Sequence, residues 1–224
     1  MSHVSPFDWA SLLAEQPLIP VWASVVPDAA EQLANILLQA GYGVLEVTLR
    51  EEGAWSVLER LRSSDLALVA GSVRHPDQLK RLQEIGITLA VTPGWCPALC
   101  EQAKAMGIRL LPGVATPGEA MQASLMGYRQ VKLFPAMALG GPSWLRAIRA
   151  PLPELDFVPT GGIDESSMAQ WFALPGVVAL GGSWMLPKEL VLRKDWSILE
   201  HLASRSLTAA RELRQQRDAD TTGK

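Results

Sequence analysis

Apolar runs with strand-like patterning begin near Leu18, Val44, Ala67, Thr88, Arg109, Gln130, Asp156 and Val177. Each is followed by a stretch whose apolar positions return with helical spacing, as in the segment from Glu31 to Leu38. The chain therefore reads as strand-helix units repeated eight times. Gly41, Gly86, Gly107, Gly127 and Gly176 stand where helices of these units must stop. A residue free to take positive φ closes a helix before the next strand begins, so the punctuation agrees with the periodicity. One further helix is predicted ahead of the first strand, over Phe7 to Glu15, and the polar run from Arg211 to Lys224 is expected to fray.

A solenoid shares this regularity, but the units here have no common residue template. Strict alternation of strand and helix favours a parallel sheet, and eight units close into a barrel. The expected architecture is α/β, a (β/α)8 TIM barrel with an extra N-terminal helix. No linker divides the chain, and its 224 residues suit a single domain spanning 1–224.

Composition narrows the ligand. The net charge is -3 with both signs dispersed, so no basic stripe is offered to nucleic acid and a small molecule is the expected partner. Met1 to Trp9 carries no basic segment followed by an apolar one, and no apolar run is long enough for a bilayer, so a cytoplasmic protein with no membrane partner is expected. Cys96 and Cys100 fall four apart on a predicted helix without a Cys/His set of ligand spacing around them. They read as structural thiols, and neither a metal site nor a cofactor is expected.

Two strands carry polar residues on the face that should be apolar. In Leu45-Glu46-Val47-Thr48-Leu49-Arg50, alternation sends Leu45, Val47 and Leu49 toward the helices and Glu46, Thr48 and Arg50 into the barrel. In Gln130-Val131-Lys132-Leu133-Phe134-Pro135, Val131 and Leu133 share one face while Lys132 and Phe134 share the other, inward one. Lys132 as the structural counter-ion of Glu46 is one reading. The convergence of lysine, glutamate and arginine on one barrel mouth favours chemistry instead. An amine in a partly apolar pocket loses some of the advantage of its charged form and can attack a carbonyl. Glutamate relays protons and arginine grips a planar carboxylate, so a 2-keto acid suits all three.

The seventh strand-like run ends in Thr160-Gly161-Gly162-Ile163 and the eighth in Gly181-Gly182-Ser183-Trp184. Loops after the last two strands of such barrels commonly hold phosphate, because glycine lets backbone N–H groups approach the anion. Tight turns alone also need glycine, but the pairing at both strands points to a small phosphorylated ligand. No GxGxxG or P-loop pattern is present to suggest a dinucleotide or nucleoside triphosphate.

From about Pro17 to Pro187 the motifs together resemble the 2-keto-3-deoxy-6-phosphogluconate (KDPG) and 4-hydroxy-2-oxoglutarate (KHG) aldolase family, with a family-like core over 16–187. They are Ile19-Pro20-Val21, Gly43 through Arg50, Thr92-Pro93-Gly94, Leu111-Pro112-Gly113, Val131 through Ala136, Pro159 through Ile163 and Gly181 through Trp184. The resemblance implies a Schiff-base lyase that cleaves 2-dehydro-3-deoxy-6-phosphogluconate to pyruvate and D-glyceraldehyde 3-phosphate in Entner-Doudoroff carbohydrate metabolism. It implies Lys132 as the Schiff-base lysine, Glu46 as the proton-transfer residue and Arg50 as the carboxylate binder. Pro93 and Phe134 would line the pyruvate site, Thr160 would face the substrate chain, and Gly161, Gly162, Gly182 and Ser183 would hold phosphate. A homotrimer is implied as well. KHG or the phosphogalactonate epimer is the alternative substrate.

The chain departs from the family at Val69-Ala70-Gly71-Ser72-Val73, where Gly-Ala-Gly-Thr-Val is usual. Ser72 keeps a hydroxyl, and alternation is expected to place it on the face of Ala70, toward the carboxylate. Arg74 and His75 read as a solvated helix entry.

Overall fold

The computed structural model describes residues 8–222, so Phe7 and the last two residues of the predicted tail lie outside them. The strands among the described residues are β1 (Leu18–Trp22), β2 (Val44–Thr48), β3 (Ala67–Gly71), β4 (Leu89–Val91), β5 (Arg109–Leu111), β6 (Gly113–Val114), β7 (Gln130–Leu133), β8 (Asp156–Pro159) and β9 (Leu180–Gly182). The helices are α1 (Trp9–Glu15), α2 (Ala30–Gln39), α3 (Gly53–Leu61), α4 (Pro76–Glu84), α5 (Pro97–Ala105), α6 (Pro117–Leu125), α7 (Gly141–Arg149), α8 (Met168–Phe172), α9 (Lys188–Arg193) and α10 (Trp196–Thr222). The α/β alternation is that read from the periodicity. Pro76, Pro97 and Pro117 open their helices, where a missing N–H costs nothing. The five glycines expected to end helices all have positive φ.

All strand pairings are parallel, in a six-stranded sheet of order β5-β4-β3-β2-β1-β9 and a three-stranded sheet of order β6-β7-β8. The predicted fifth strand is split at Pro112, which has no N–H to give a ladder and separates β5 from β6. The predicted eighth strand begins with an isolated bridge from Val177 to Phe157, and regular pairing starts only at Leu180.

Two sets of apolar side chains show that the sheets curl. Leu45, Val47, Leu68, Ala70, Val131, Leu133 and Phe157 pack outward among the helices. Ile19, Val44, Val69, Leu89, Leu111 and Val158 instead form one cluster with Trp9, Leu12 and Leu13 of α1. Residues from opposite sheets meet in this second cluster only if the strands bend round a common interior, which α1 plugs from below. Trp9 fixes the plug by donating its Nε1–H to the carbonyl of Arg109 at 2.9 Å.

The C-terminal run overturns its expectation. Residues 211–222 continue α10 rather than fraying, and the charged side chains that made the run look like a solvated tail are what bind it. Arg211 donates to Gly41 O at 3.0 Å. Arg214 donates to Leu13 O at 2.9 Å and Ala14 O at 2.6 Å, and Arg217 donates to Val177 O. The carbonyls at the end of α1 have no intrahelical partner, and the guanidinium fork supplies one. Arg214 and Arg217 also line a cavity of about 410 Å³ with Leu13, Gln130 and Asp156. It lies at the strands' N-terminal ends, away from Lys132. Burial there pushes the Asp156 carboxyl above its ordinary value, against the pull of Arg149 and Arg217.

Arg214→Ala should therefore cost about 2 kcal/mol, the scale of a pair of charge-assisted hydrogen bonds discounted for partial exposure. For a domain of this size that corresponds to a fall in Tm of about 4–8 °C. A melting curve within 1 °C of wild type would show that the clamp contributes nothing.

Candidate active site

The two inward ionisable residues meet across the interior. Glu46 stands in the middle of β2 in the six-stranded sheet and Lys132 in β7 of the three-stranded one. Lys132 Nζ donates to Glu46 Oε1 at 3.1 Å, with the side chains 6% and 4% exposed. The alternation read from the sequence was therefore correct for both. The ammonium also sits 5.4 Å from the centroid of the Phe134 ring, which places cation and π face in reach.

Glu46 owes its position to a missing side chain. Gly71 lies on the next strand, and a Cβ there would collide with Glu46 Oε1. Thr160 leans over Gly181 in the same way, since a Cβ on Gly181 would strike its Oγ1. Gly113 is register partner to Lys132 and stands against the backbone of Thr92 and Pro93, with its N–H donating to Thr92 Oγ1 at 2.9 Å. Pro93 is thus held beside β6, the neighbour of the strand that carries the lysine.

Arg50 lies just past the end of β2, exposed at the mouth, and its Nε donates to Ser72 Oγ at 3.3 Å. Ser72 faces Arg50, but not for the reason expected. Ala70 packs outward among the helices and Val69 inward, so strand alternation would not carry Ser72 along with Ala70 to the site. The chain instead turns at Ser72 with φ +60, an uncommon left-handed conformation for a residue other than glycine. Thr48 is buried, and its hydroxyl makes long contacts to Trp22 O and Ala23 O at 3.4 and 3.3 Å.

Phe134 links the amine to the glycine loops. The Cβ position of Gly161 lies 3.2 Å from the Phe134 ring, and Gly161 and Gly162 have φ of +101 and +76. A parallel bridge joins Thr160 to Gly181, bringing Gly182 and exposed Ser183 alongside. Apart from Glu46, in the middle of β2, the candidate residues lie at or near the C-terminal ends of the strands. Sequence reasoning missed the supporting residues. Besides Gly71 and Thr92, these include Glu51, whose Oε2 accepts from Val25 N at 3.1 Å and ties the loop after β1 to that after β2.

A family model described as KDPG and KHG aldolase matches residues 10–202. The chain belongs to the KDPG and KHG aldolase family. The 2-dehydro-3-deoxy-phosphogluconate aldolase of Pseudomonas aeruginosa is 38% identical over 185 residues, 82% of this chain and 84% of that one. The KHG/KDPG aldolase of Escherichia coli K12 is 34% identical over 203 residues, covering 90% of this chain and 95% of its own. Among solved structures, the KDPG aldolase of Legionella pneumophila, with pyruvate captured as a covalent carbinolamine, superposes with a TM-score of 0.84 at 36% identity, covering 88% and 97% of the two chains.

If Gly71 exists to admit Glu46, then Gly71→Ala must move the carboxylate off Lys132. The strand conformation itself tolerates alanine. A loss in kcat of about 100-fold is expected, the lower range for removing a positioned acid-base group, with the far-ultraviolet spectrum unchanged. Wild-type kcat in a folded Gly71→Ala variant would refute the arrangement.

Proposed function

We propose that this protein is a class I aldolase that cleaves 2-dehydro-3-deoxy-6-phosphogluconate to pyruvate and D-glyceraldehyde 3-phosphate. The observation that carries the reading is the buried contact between Lys132 Nζ and Glu46 Oε1. It gives a nucleophilic amine and a proton acceptor within hydrogen-bond reach, in a chain of this family.

Lys132 gives its proton to Glu46, and the neutral amine attacks C2 of the keto acid. The resulting carbinolamine loses water to give an iminium ion. That ion draws the electrons of the C3–C4 bond while Glu46 or a water takes the C4 hydroxyl proton, releasing the aldehyde. The enamine left on Lys132 is protonated at C3, and water then cleaves the imine to return pyruvate and the free amine. The iminium nitrogen is the electron sink, so the cycle closes without a metal or nucleotide.

Ser72 holds Arg50 Nε, so the terminal nitrogens carry the fork toward the substrate carboxylate. Pro93 and Phe134 flank the pyruvate portion and Thr160 faces the rest of the substrate. The phosphate lies against Gly161, Gly162, Gly182 and Ser183. In the same reading the two sheets are arcs of one closed (β/α)8 barrel. The bridges Phe157–Val177 and Thr160–Gly181 support closure on one side, and the single residue between β5 and β6 supports it on the other. The chain is one catalytic domain and a cytoplasmic homotrimer, to which exposed Met121 and Leu125 of α6 offer apolar contact surface.

Borohydride reduction in the presence of pyruvate should leave a covalent adduct on Lys132, located by mass mapping. Lys132→Arg keeps a cation opposite Glu46 but forms no imine, and it should be untrapped and inactive while folded. An adduct on another lysine, or cleavage activity in that variant, would sink the assignment.

A further inference from the structure

Trp184 follows the Gly181-Gly182-Ser183 segment, and its ring occupies the space a side chain at residue 182 would need. A Cβ on Gly182 would fall on Cζ3 of the indole, with Cε3 beside it. Gly182 is not among the glycines of positive φ. Its lack of a side chain therefore answers to this ring rather than to a backbone twist. The indole lies directly against the Gly182 backbone.

The other edge of the ring is pinned. Trp184 Nε1 donates to Ser206 Oγ at 3.0 Å, and Ser206 is 0% exposed in the middle of α10. Separating a half-buried tryptophan N–H from a fully buried serine hydroxyl is costly, because the hydroxyl would lose its partner out of reach of water. The same segment turns back on itself through Leu186 N donating to Ser183 O at 3.0 Å. Gly182 ends β9 with its backbone held in the parallel ladder to β1, so the turn that follows, which presents the Ser183 hydroxyl, is clamped from behind by an aromatic plate. That plate is anchored in a helix 22 residues further along the chain.

We infer that Trp184 and Ser206 form a positioning pair for an anion-binding loop, holding the Gly182–Ser183 segment rigid so that its donors converge on the substrate phosphate. The inference rests on the phosphate reading proposed above. Neither residue touches substrate; they act through the loop. Releasing the pair lets the loop sample other conformations, so that ordering it costs binding free energy each time a phosphorylated substrate arrives. Substrates without a phosphate draw nothing from the loop and are unaffected.

The test compares four enzymes, wild type, Ser206→Ala, Trp184→Phe and Ser183→Ala, each on phosphorylated and unphosphorylated 2-keto-3-deoxygluconate. Ser206→Ala removes the acceptor without adding volume, and Trp184→Phe keeps an aromatic plate without the N–H. Both should raise KM for the phosphorylated substrate about two- to tenfold, the factor a lost neutral hydrogen bond corresponds to. Their kcat should stay at the wild-type value, as should kcat/KM for the unphosphorylated substrate. A merely structural role would lower both substrates in proportion, which overturns the inference. If Ser183→Ala loses phosphorylated substrate selectively while the other two variants match wild type, the phosphate reading stands and the positioning role falls. If Ser183→Ala and wild type treat both substrates alike, both readings fall together.

Discussion

The arrangement turns on one buried ion pair. Lys132 and Glu46 approach from different sheets, each nearly inaccessible to water, and removing one partner of such a pair leaves the other charged and unsolvated at a cost of about 3–5 kcal/mol. Apolar residues of similar volume would commonly be at least as stable in its place. The pair is therefore an expense for the fold, and its location opposite the α1 plug, where the strands open, is where that expense returns as reactivity. The main chain supports it, since Lys132 N donates to the carbonyl of Pro112 at 2.9 Å. The proline that interrupts the sheet still supplies the acceptor that sets the height of the lysine.

What lets polar side chains fit inside a packed interior is the absence of others. Glu46 leans over Gly71, Thr160 over Gly181, and Gly113 is pressed against the backbone beside Thr92. The interior thus has two zones. Below, branched side chains and α1 fill it; above, glycines on neighbouring strands clear room for a carboxylate and a hydroxyl. Val69 pairs with Glu46 in the strand register and belongs to the lower zone, so the departure from the usual glycine falls at the boundary between packing and chemistry.

Period-two reasoning succeeded for Glu46 and Lys132 because both sit inside regular strands, where side-chain direction follows from position alone. It failed at Ser72, one residue past β3, because a left-handed residue resets the direction of the chain. The strand-helix order was legible from periodicity, but how the strands pair was not, since the break at Pro112 depends on which neighbour its missing N–H would have served. The tail was misread because a polar run looks solvated until the carbonyls it caps are known. Arg214 reaches Leu13 across 201 positions of sequence, and no local pattern encodes that. Trp184 and Ser206 escaped for the same reason. Gly71 was visible within a motif, yet its purpose depends on the side chain next door.

Helix α10 runs from the catalytic end, where Ser206 meets Trp184, to the opposite rim, where Arg214 and Arg217 grip the carbonyls around α1. Its last turns emerge on the side of the molecule facing away from the substrate mouth. A carrier, dye or solid support coupled through that far end would leave the entrance pointing outward, so the enzyme can be anchored there without narrowing the path by which substrate arrives.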